Sequence, residues 1–284
     1  MDSRRRIGHR SVRRLTARLR VMTAPRQQRI ALLVAGCFFM ENLDGTIVTT
    51  AAPRIGRALH VPSTSIGLVI AAYLVTLAVL IPASGWLTAR WGARRLFLTA
   101  IVIFTGASLA CALSSGLTEL VTFRVVQGAS GAMMVPVGRL VILSRTAKSD
   151  LLRMMSLLVW PALVAPMIAP LLGGLITTYS SWRWLFAVNV PLGVLALAAA
   201  SRLITSHRLP SPPPLDAVGV ALTCTGLGAV TYTAYLLSQT TIVWSTALAS
   251  AAAAAGLMFA AVRHLTRTRH PLLNLRSLHG VPWF

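Results

Sequence analysis

Three charged residues lie well inside long apolar runs of this sequence, away from the ends of the runs, where a charge is costly. Glu41 and Asp44 are one helical turn apart in the first run, and Arg124 lies in the fourth. Ionisable groups at membrane depth usually mark a substrate or proton pathway. An acid and a base at one depth can neutralise each other or exchange a proton, so these residues predict a proton-handling site. The alternative is a structural ion pair that holds the first run against the fourth.

The positions of Asp44 and Arg124 within their runs place both side chains at a similar depth. The first run begins near residue 30, so Asp44 lies about 20 Å along a helix that rises about 1.5 Å per residue. The fourth run begins near residue 117, at the opposite side of the membrane, so Arg124 lies roughly 10 Å from that side. In a hydrocarbon core about 30 Å thick, the two side chains are level.

The composition is that of an integral membrane protein. Of 284 residues, 55% are apolar and only 12% are charged, and the mean hydropathy is +0.71. The 27 lysines and arginines outnumber 6 acidic residues, but ten arginines lie in the first 29 residues and most others lie in alternate gaps between apolar runs. This positive-inside distribution places the N-terminus in the cytoplasm, and it argues against a nucleic-acid binder.

The apolar runs predict an all-α integral membrane protein with eight spans, since about 20 residues cross the hydrocarbon core. The predicted spans are 30–53, 66–88, 96–114, 117–143, 154–176, 184–203, 216–237 and 243–262. They divide the chain into a basic cytoplasmic tail (1–29), a six-helix unit (30–203), a Pro-rich cytoplasmic linker (204–215), two additional spans (216–262) and a cytoplasmic segment (263–284).

Other kinds of chemistry find little support in the sequence. The cysteines at 37, 111 and 224 lie in apolar runs without paired spacing, which predicts no disulfide, no metal site and no cofactor. No phosphate-binding loop is present, so an ATP-driven pump is unsupported. The GASG stretch at 128–131 matches the Gly-x-Ser-Gly of rhomboid-type intramembrane proteases, but Ser130 needs a histidine base and all six histidines lie outside the predicted spans. We therefore expect no enzyme.

Five motifs occur in order along the first six spans. They are LDGTIVTTAAP at 43–53, GWLTARWGARR at 85–95, RVVQGASGA at 124–132, APLLGG at 169–174 and SWRWLFAVNVPLG at 181–193. Together they resemble the N-terminal half of the major facilitator superfamily, in its fourteen-helix drug/proton antiporter branch (the EmrB/QacA type). The likeness extends from about residue 30 to 275. It implies proton-coupled efflux of drugs or other small molecules across a bacterial cytoplasmic membrane.

The resemblance also implies roles for the charged residues. Asp44 matches the first-helix acid that is implicated in proton coupling, and Arg124 matches the fourth-helix arginine thought to serve proton transfer. Glu41, one turn below Asp44, is expected to act as a relay or a cation contact. Further expected cavity or packing residues on the first, second and fourth spans are Phe39, Tyr73, Gln127, Gly128, Gly131 and Met133. The glycines allow close approach of a neighbouring helix, and the aromatic and methionine side chains could equally serve helix packing.

Two other motifs predict moving parts. Gly85 and Gly92 are expected to form a tight turn in a gating loop that also carries Arg90, Arg94 and Arg95. The family normally has an Asp where this chain has Ala89, which puts the usual lock between the transporter halves in doubt. In the fifth-span antiporter motif, Pro170 removes a helical hydrogen bond and Gly173 and Gly174 follow it without side chains, so we expect a bend or sliding surface there.

The length departs from the family pattern, because the chain offers eight spans where the branch has fourteen. The PLLNL stretch at 271–275 resembles the segment before a ninth span. We therefore expect a truncated product, or a half-transporter that associates with a second half, with another copy in a parallel dimer, or with a membrane-fusion adaptor. A non-transporting membrane fragment or scaffold, and a uniporter or symporter of the same superfamily, are the alternatives.

Overall fold

The computed structural model describes residues 3–144, 146, 150–205, 216–237 and 243–268, with the backbone alone for residues 3–25. Within these ranges the chain forms helices and turns and contains no strand. The helices are α1 (Ser3–Ala58), α2 (Ile66–Leu80), α3 (Ala83–Trp91), α4 (Ala93–Leu113), α5 (Leu117–Leu143), α6 (Leu151–Tyr179), α7 (Trp184–Ala187), α8 (Asn189–Leu203), α9 (Ala217–Leu237) and α10 (Trp244–Arg267), with a 3-10 turn at Ser63–Ser65.

Eight helical segments of the described chain are long and apolar enough to cross a membrane, and each overlaps one of the eight predicted spans. They are Arg26–Ala58, Ser63–Leu80, Ala93–Leu113, Leu117–Leu143, Leu151–Tyr179, Trp184–Leu203, Ala217–Leu237 and Trp244–Arg267. The predicted all-α membrane fold class is therefore confirmed. Residues 206–215 of the predicted linker and residues 269–284 of the last segment, including the PLLNL stretch, lie outside the described residues.

The span boundaries differ from the sequence prediction at proline-containing sites. The predicted span 66–88 is two helices, because Pro82 lacks the N–H that would continue the ladder between α2 and α3. The sixth span is also divided, into α7 and α8, on either side of Val188. In contrast, α1 continues through Pro53 to Ala58, five residues past its predicted end, since membrane helices tolerate proline where neighbours compensate.

The six-helix unit has two apolar core clusters that are stacked along α1. The first contains residues 30–40 of α1 together with Phe97, Phe104 and Met134, and the second contains Leu43 to Ile55 together with Leu120 and Phe186. Helix α1 packs most extensively on α6, and α5 packs on α4 and α2, whereas α9 pairs with α10 and touches α2. Glu41 and Asp44 fall at the junction of the two clusters, so the apolar layers isolate them from both ends of the bundle.

Close packing of α5 against α2 depends on Gly128. A Cβ atom added at Gly128 would lie 2.5 Å from the backbone oxygen of Tyr73 and 3.1 Å from the Cβ of Thr76. One turn along, a Cβ atom at Gly131 would meet Leu77 and Glu41 only at 3.4 Å, an ordinary contact. The two glycines therefore differ in kind: Gly128 permits the helix crossing, and Gly131 has room for a methyl group.

We expect Gly128→Ala to destabilise the chain and Gly131→Ala to be tolerated. The first change forces two backbones apart, and overpacking of this kind costs about 1–3 kcal/mol. The second gains helix propensity of up to about 1 kcal/mol without a clash. Thermal unfolding of the two detergent-solubilised variants measures the difference. An equal loss of stability in both would contradict the assigned role of Gly128.

Candidate functional site

Asp44 of α1 is the centre of a buried polar cluster and is only 1% exposed. Its Oδ2 accepts a hydrogen bond from Arg124 Nη1, and the two side chains form an ion pair with no solvent exposure. Its Oδ1 accepts two more hydrogen bonds, from Gln127 Nε2 at 3.0 Å and from Asn189 Nδ2 at 2.8 Å. The carboxylate thus has donors from α5 and α8, and its charge is balanced by one arginine.

Ser108 of α4 completes the cluster beneath the two amides. Its Oγ accepts hydrogen bonds from Gln127 Nε2 at 2.6 Å and from Asn189 Nδ2 at 3.1 Å. Gln127 also accepts a hydrogen bond from Arg124 Nη1 at 2.9 Å. Because the members come from α1, α4, α5 and α8, any displacement of one of these helices changes the hydrogen bonding within the cluster around Asp44.

The Arg124 guanidinium also contacts two aromatic rings. Its Cζ lies 4.1 Å from the ring centroid of Tyr73 and 5.7 Å from that of Phe186, both within cation–π range. Its Nε and Nη2 have no hydrogen-bond partner among the described residues. Tyr73 is fixed in turn by its hydroxyl, which donates to the backbone oxygen of Glu41 at 3.3 Å. Arg124 therefore has unused donors, and Asp44 is its one ion-pair partner in the part of the chain that the structure describes.

Glu41 lies beside this cluster without joining it. The residue is 6% exposed, and its Oε2 has no hydrogen-bond partner in the described part of the chain. It faces the small residue Gly131 of α5, where an added Cβ would be 3.4 Å from Glu41 Oε1. A buried carboxyl with an oxygen that has no partner among the described residues can accept a proton or contact a cation, as expected for Glu41 from its position one turn from Asp44.

The predicted cavity side chains fall into two groups. Tyr73 and Gln127 contact the charged pair directly, as described above. Phe39 is partly buried against the second core cluster, and Met133 lies in the first at 8% exposure. Both therefore contribute to helix packing in this structure.

The predicted gating loop is only partly a turn. Gly92 has a φ of 81°, which favours glycine, and it separates α3 from α4 while its N–H donates to Thr88 O at 2.9 Å. Gly85, in contrast, lies inside α3, so the prediction that it forms part of the turn is wrong. The Pro82 break before α3 provides the change of direction instead. Arg94 Nη2 donates to Ser201 O at 3.0 Å, which ties α4 to the end of α8, and Arg90 and Arg95 are exposed.

The antiporter motif lies on α6, which is one continuous helix through Pro161, Pro166 and Pro170. Gly173 packs on α1, where an added Cβ would meet Thr50 Oγ1 and lie 3.2 Å from the backbone oxygen of Ile47. Gly174 faces open space. Through Gly173 the motif therefore forms part of the contact between α6 and α1, the helix that carries Asp44.

The hydroxyl of Ser130, in the GASG stretch, forms a hydrogen bond within its own helix, α5. Its Oγ donates to the backbone oxygen of Gln127 at 2.7 Å, a hydrogen bond typical of serine within a helix. Among the described histidine side chains, His60 follows α1 and His264 bonds Asp216 at 2.7 Å near the ends of α9 and α10. Over the described ranges, no group of three potential metal ligands occurs.

Sequence reasoning missed three members of the site: Ser108, Phe186 and Asn189. Asn189 stands within the SWRWLFAVNVPLG motif, and Ser108 stands within the third apolar run. A polar side chain deep in an apolar run was a usable signal for both, because such groups must find partners in the bundle interior. Phe186 had no such signal, since its position over Arg124 depends on how α7 packs.

Comparison of the sequence with known proteins gives consistent matches. A family model described as Major Facilitator Superfamily matches residues 34–278. A relative from Cronobacter sakazakii, "Putative multidrug resistance protein MdtD", is 43% identical over 199 residues, and its namesake from Escherichia fergusonii is 41% identical over 199 residues. Each alignment covers 70% of this chain, which spans 42% of the length of either relative.

Solved structures resemble the fold. The crystal structure of a D-xylose-proton symporter matches with a TM-score of 0.54 at 15% identity, over 65% of this chain and 48% of that one. The crystal structure of the POT family transporter PepTSo matches with a TM-score of 0.56 at 14% identity, over 74% of this chain and 47% of that one. At such low identity the likeness extends to the arrangement of helices alone.

Proposed function

Because this chain belongs to the major facilitator superfamily, we propose that it works as part of a proton-coupled antiporter that exports drugs or other small molecules. The observation that carries the proposal is the buried ion pair of Asp44 and Arg124, inside a polar cluster drawn from four helices. The names of the relatives from Cronobacter and Escherichia support multidrug export as the class of activity. In this proposal Asp44 carries the proton.

The hydrogen bonds of Asp44 suit its ionised form. An ionised carboxylate only accepts hydrogen bonds, whereas a protonated one must also donate. The three partners recorded at Asp44 are all N–H donors, from Arg124, Gln127 and Asn189. This arrangement corresponds to the proton-free step of the cycle.

Proton binding at Asp44 would leave Arg124 without its counter-charge. Breaking a buried ion pair by removing one partner costs about 3–5 kcal/mol, because a charge remains buried and uncompensated. Arg124 would then retain Gln127 Oε1 and the ring of Tyr73, with its Nε and Nη2 still unsatisfied. A new partner for the Arg124 guanidinium, such as water admitted by a shift of α1 against α5, would lower this cost. Proton binding at Asp44 is therefore coupled to helix movement.

Glu41 is proposed to receive the proton or a cationic part of the substrate. It is one turn from Asp44 and buried, with one oxygen that has no partner among the described residues. Phe39, Tyr73 and Met133 would add apolar contacts once the cavity opens. Gly128 keeps α5 close to α2, and Gly131 leaves room beside the Glu41 carboxyl.

The moving parts are proposed to be the α3–α4 turn and the α1–α6 interface. Gly92 gives the turn its conformation, and Arg90, Arg94 and Arg95 supply positive charge near it. Gly173 packs on α1 without a side chain after Pro170, while Gly174 faces open space, and we expect α6 to slide along α1 at Gly173 as one transporter half rocks against the other.

The placement in the cell is also part of the proposal. The arginine distribution supports a multi-pass protein of a bacterial inner membrane with its N-terminus in the cytoplasm. Residues 30–203 are proposed as one transporter half, followed by the linker 204–215 and two additional spans over 216–262. A half-transporter that works with a second half, or with an adaptor, is the second candidate.

Proton flux in everted membrane vesicles tests the proposal. Vesicles from cells that produce residues 1–284 are acidified inside by respiration, and a panel of drugs is added while an acridine dye reports the internal proton concentration. A transporting chain releases protons with some of the drugs, and vesicles without the protein do not. Release that needs a co-produced second half favours the second candidate, and no release in either arm contradicts both.

A further inference from the structure

An open groove lies between α1 and α8, and no residue of the Asp44 cluster lines it. Its volume is about 330 Å³, and its walls are apolar apart from one arginine, Arg29, at one end. Two of its lining residues, Leu32 and Leu195, are 60% and 68% exposed, so the groove opens outward. The proposed transport cycle does not use this groove.

The length of the groove matches one leaflet of a bilayer. Along α1 it extends from Arg29 to Met40, a rise of about 16 Å at about 1.5 Å per residue. Half of a hydrocarbon core about 30 Å thick is about 15 Å. The groove therefore runs from the arginine-rich side of the membrane to its midplane, which is the path of one acyl chain.

Small residues keep the groove open. A Cβ added at Gly36, on the α1 wall, would meet nothing within 4 Å. Ala199 is a small residue of the α8 wall, where a larger side chain would fill part of the space. The groove is held together at one end by Arg26, whose Nη2 donates to Leu203 O at 3.3 Å.

Positive charge at the Arg29 end of the groove favours an anionic occupant. Arg29 is exposed, and within the described part of the chain no hydrogen bond or ion pair engages its guanidinium. Arg202, also exposed, lies in the last turn of α8 at the same end. No acidic residue lines the groove. A second copy of the chain seated here would bring its own arginines against these, so a like-charged partner is disfavoured.

We propose that the α1–α8 groove binds an anionic phospholipid of the arginine-rich leaflet, with its phosphate on Arg29 and one acyl chain along Gly36. Basic pockets between membrane helices bind anionic headgroups, and each arginine near the surface contributes about 1 kcal/mol. The inference is independent of transport, because it rests on groove shape and charge alone.

Native mass spectrometry of the full chain tests the proposal with two lipids that have identical acyl chains, phosphatidylglycerol and phosphatidylcholine. We expect phosphatidylglycerol to be retained at least about fivefold more strongly, the equivalent of one arginine contact. Arg29→Gln should remove this preference, and Gly36→Phe should reduce retention of both lipids. Ala199→Phe fills the groove from the opposite wall and should act like Gly36→Phe, so the test does not depend on one variant's folding.

Matched controls separate the groove from the general surface. Arg153→Gln removes an exposed arginine near the start of α6, and Gly106→Phe enlarges an exposed glycine of α4 with open space around it. Both should retain lipid as the native chain does. Equal retention of the two lipids by the native chain, or equal losses in the controls and the groove variants, would overturn the proposal. Displacement of phosphatidylglycerol by millimolar inorganic phosphate would also overturn it, by indicating a site for free anions.

Discussion

The Asp44→Asn variant will lose proton-driven export, with flux falling to the level of membranes that lack the protein. Asparagine keeps an oxygen that can accept from Gln127 and Asn189, but it cannot take up or release a proton. The loss should therefore be at least about a hundredfold, beyond what one weakened hydrogen bond could produce. Drug-induced proton release in everted vesicles measures it.

A drug-exchange assay and a control variant distinguish loss of proton coupling from loss of folding. Exchange of labelled for unlabelled drug across the membrane requires no net proton movement, so Asp44→Asn should retain it if the chain is folded. Asp150→Asn is the matched control, because Asp150 is an exposed acid at the start of α6 whose side chain makes no capping hydrogen bond. Proton-driven export that survived Asp44→Asn would remove Asp44 from the coupling mechanism.

The Arg124→Met variant will be strongly destabilised, by about 3–5 kcal/mol, because it leaves the Asp44 carboxylate buried and unpaired. Methionine replaces much of the side-chain volume but none of the charge. The native arginine is fully buried among Tyr73, Phe186 and Asp44, so solvent cannot compensate. Thermal unfolding in detergent measures the effect.

A double-mutant cycle distinguishes the ion pair from simple loss of packing. The combined variant Asp44→Asn with Arg124→Met carries no buried charge, so it should be more stable than the sum of the single losses predicts. Arg54→Met is the control, because Arg54 is exposed on α1 and has one hydrogen bond, to Thr178. Its effect should stay within about 0.5 kcal/mol, as for most surface changes. Strict additivity in the cycle would show that Asp44 and Arg124 are not coupled.

Much of the architecture was readable from the sequence, for reasons that are local. A span requires only about 20 consecutive apolar residues, so the eight runs predicted the eight helical segments. Helix rise and bilayer thickness then placed Asp44 and Arg124 at one depth. The effect of each proline could not be predicted in this way: Pro82 interrupts the second span, whereas Pro53 and Pro170 lie within continuous helices. Whether a proline breaks a membrane helix depends on what its neighbours can satisfy.

By itself, then, the sequence determined the helices, their number and the presence of costly charges at membrane depth, since each follows from hydrophobicity and from spacing along one helix. Only the tertiary structure decided which side chains meet those charges. Ser108 and Asn189 are 81 residues apart and share a hydrogen bond because α4 and α8 pack side by side. Glu41 and Asp44 look equivalent on one helix, yet three donors surround Asp44 while an oxygen of Glu41 has no partner among the described residues. Spacing cannot distinguish them, because a residue's partners are set by the rotation and crossing of neighbouring helices.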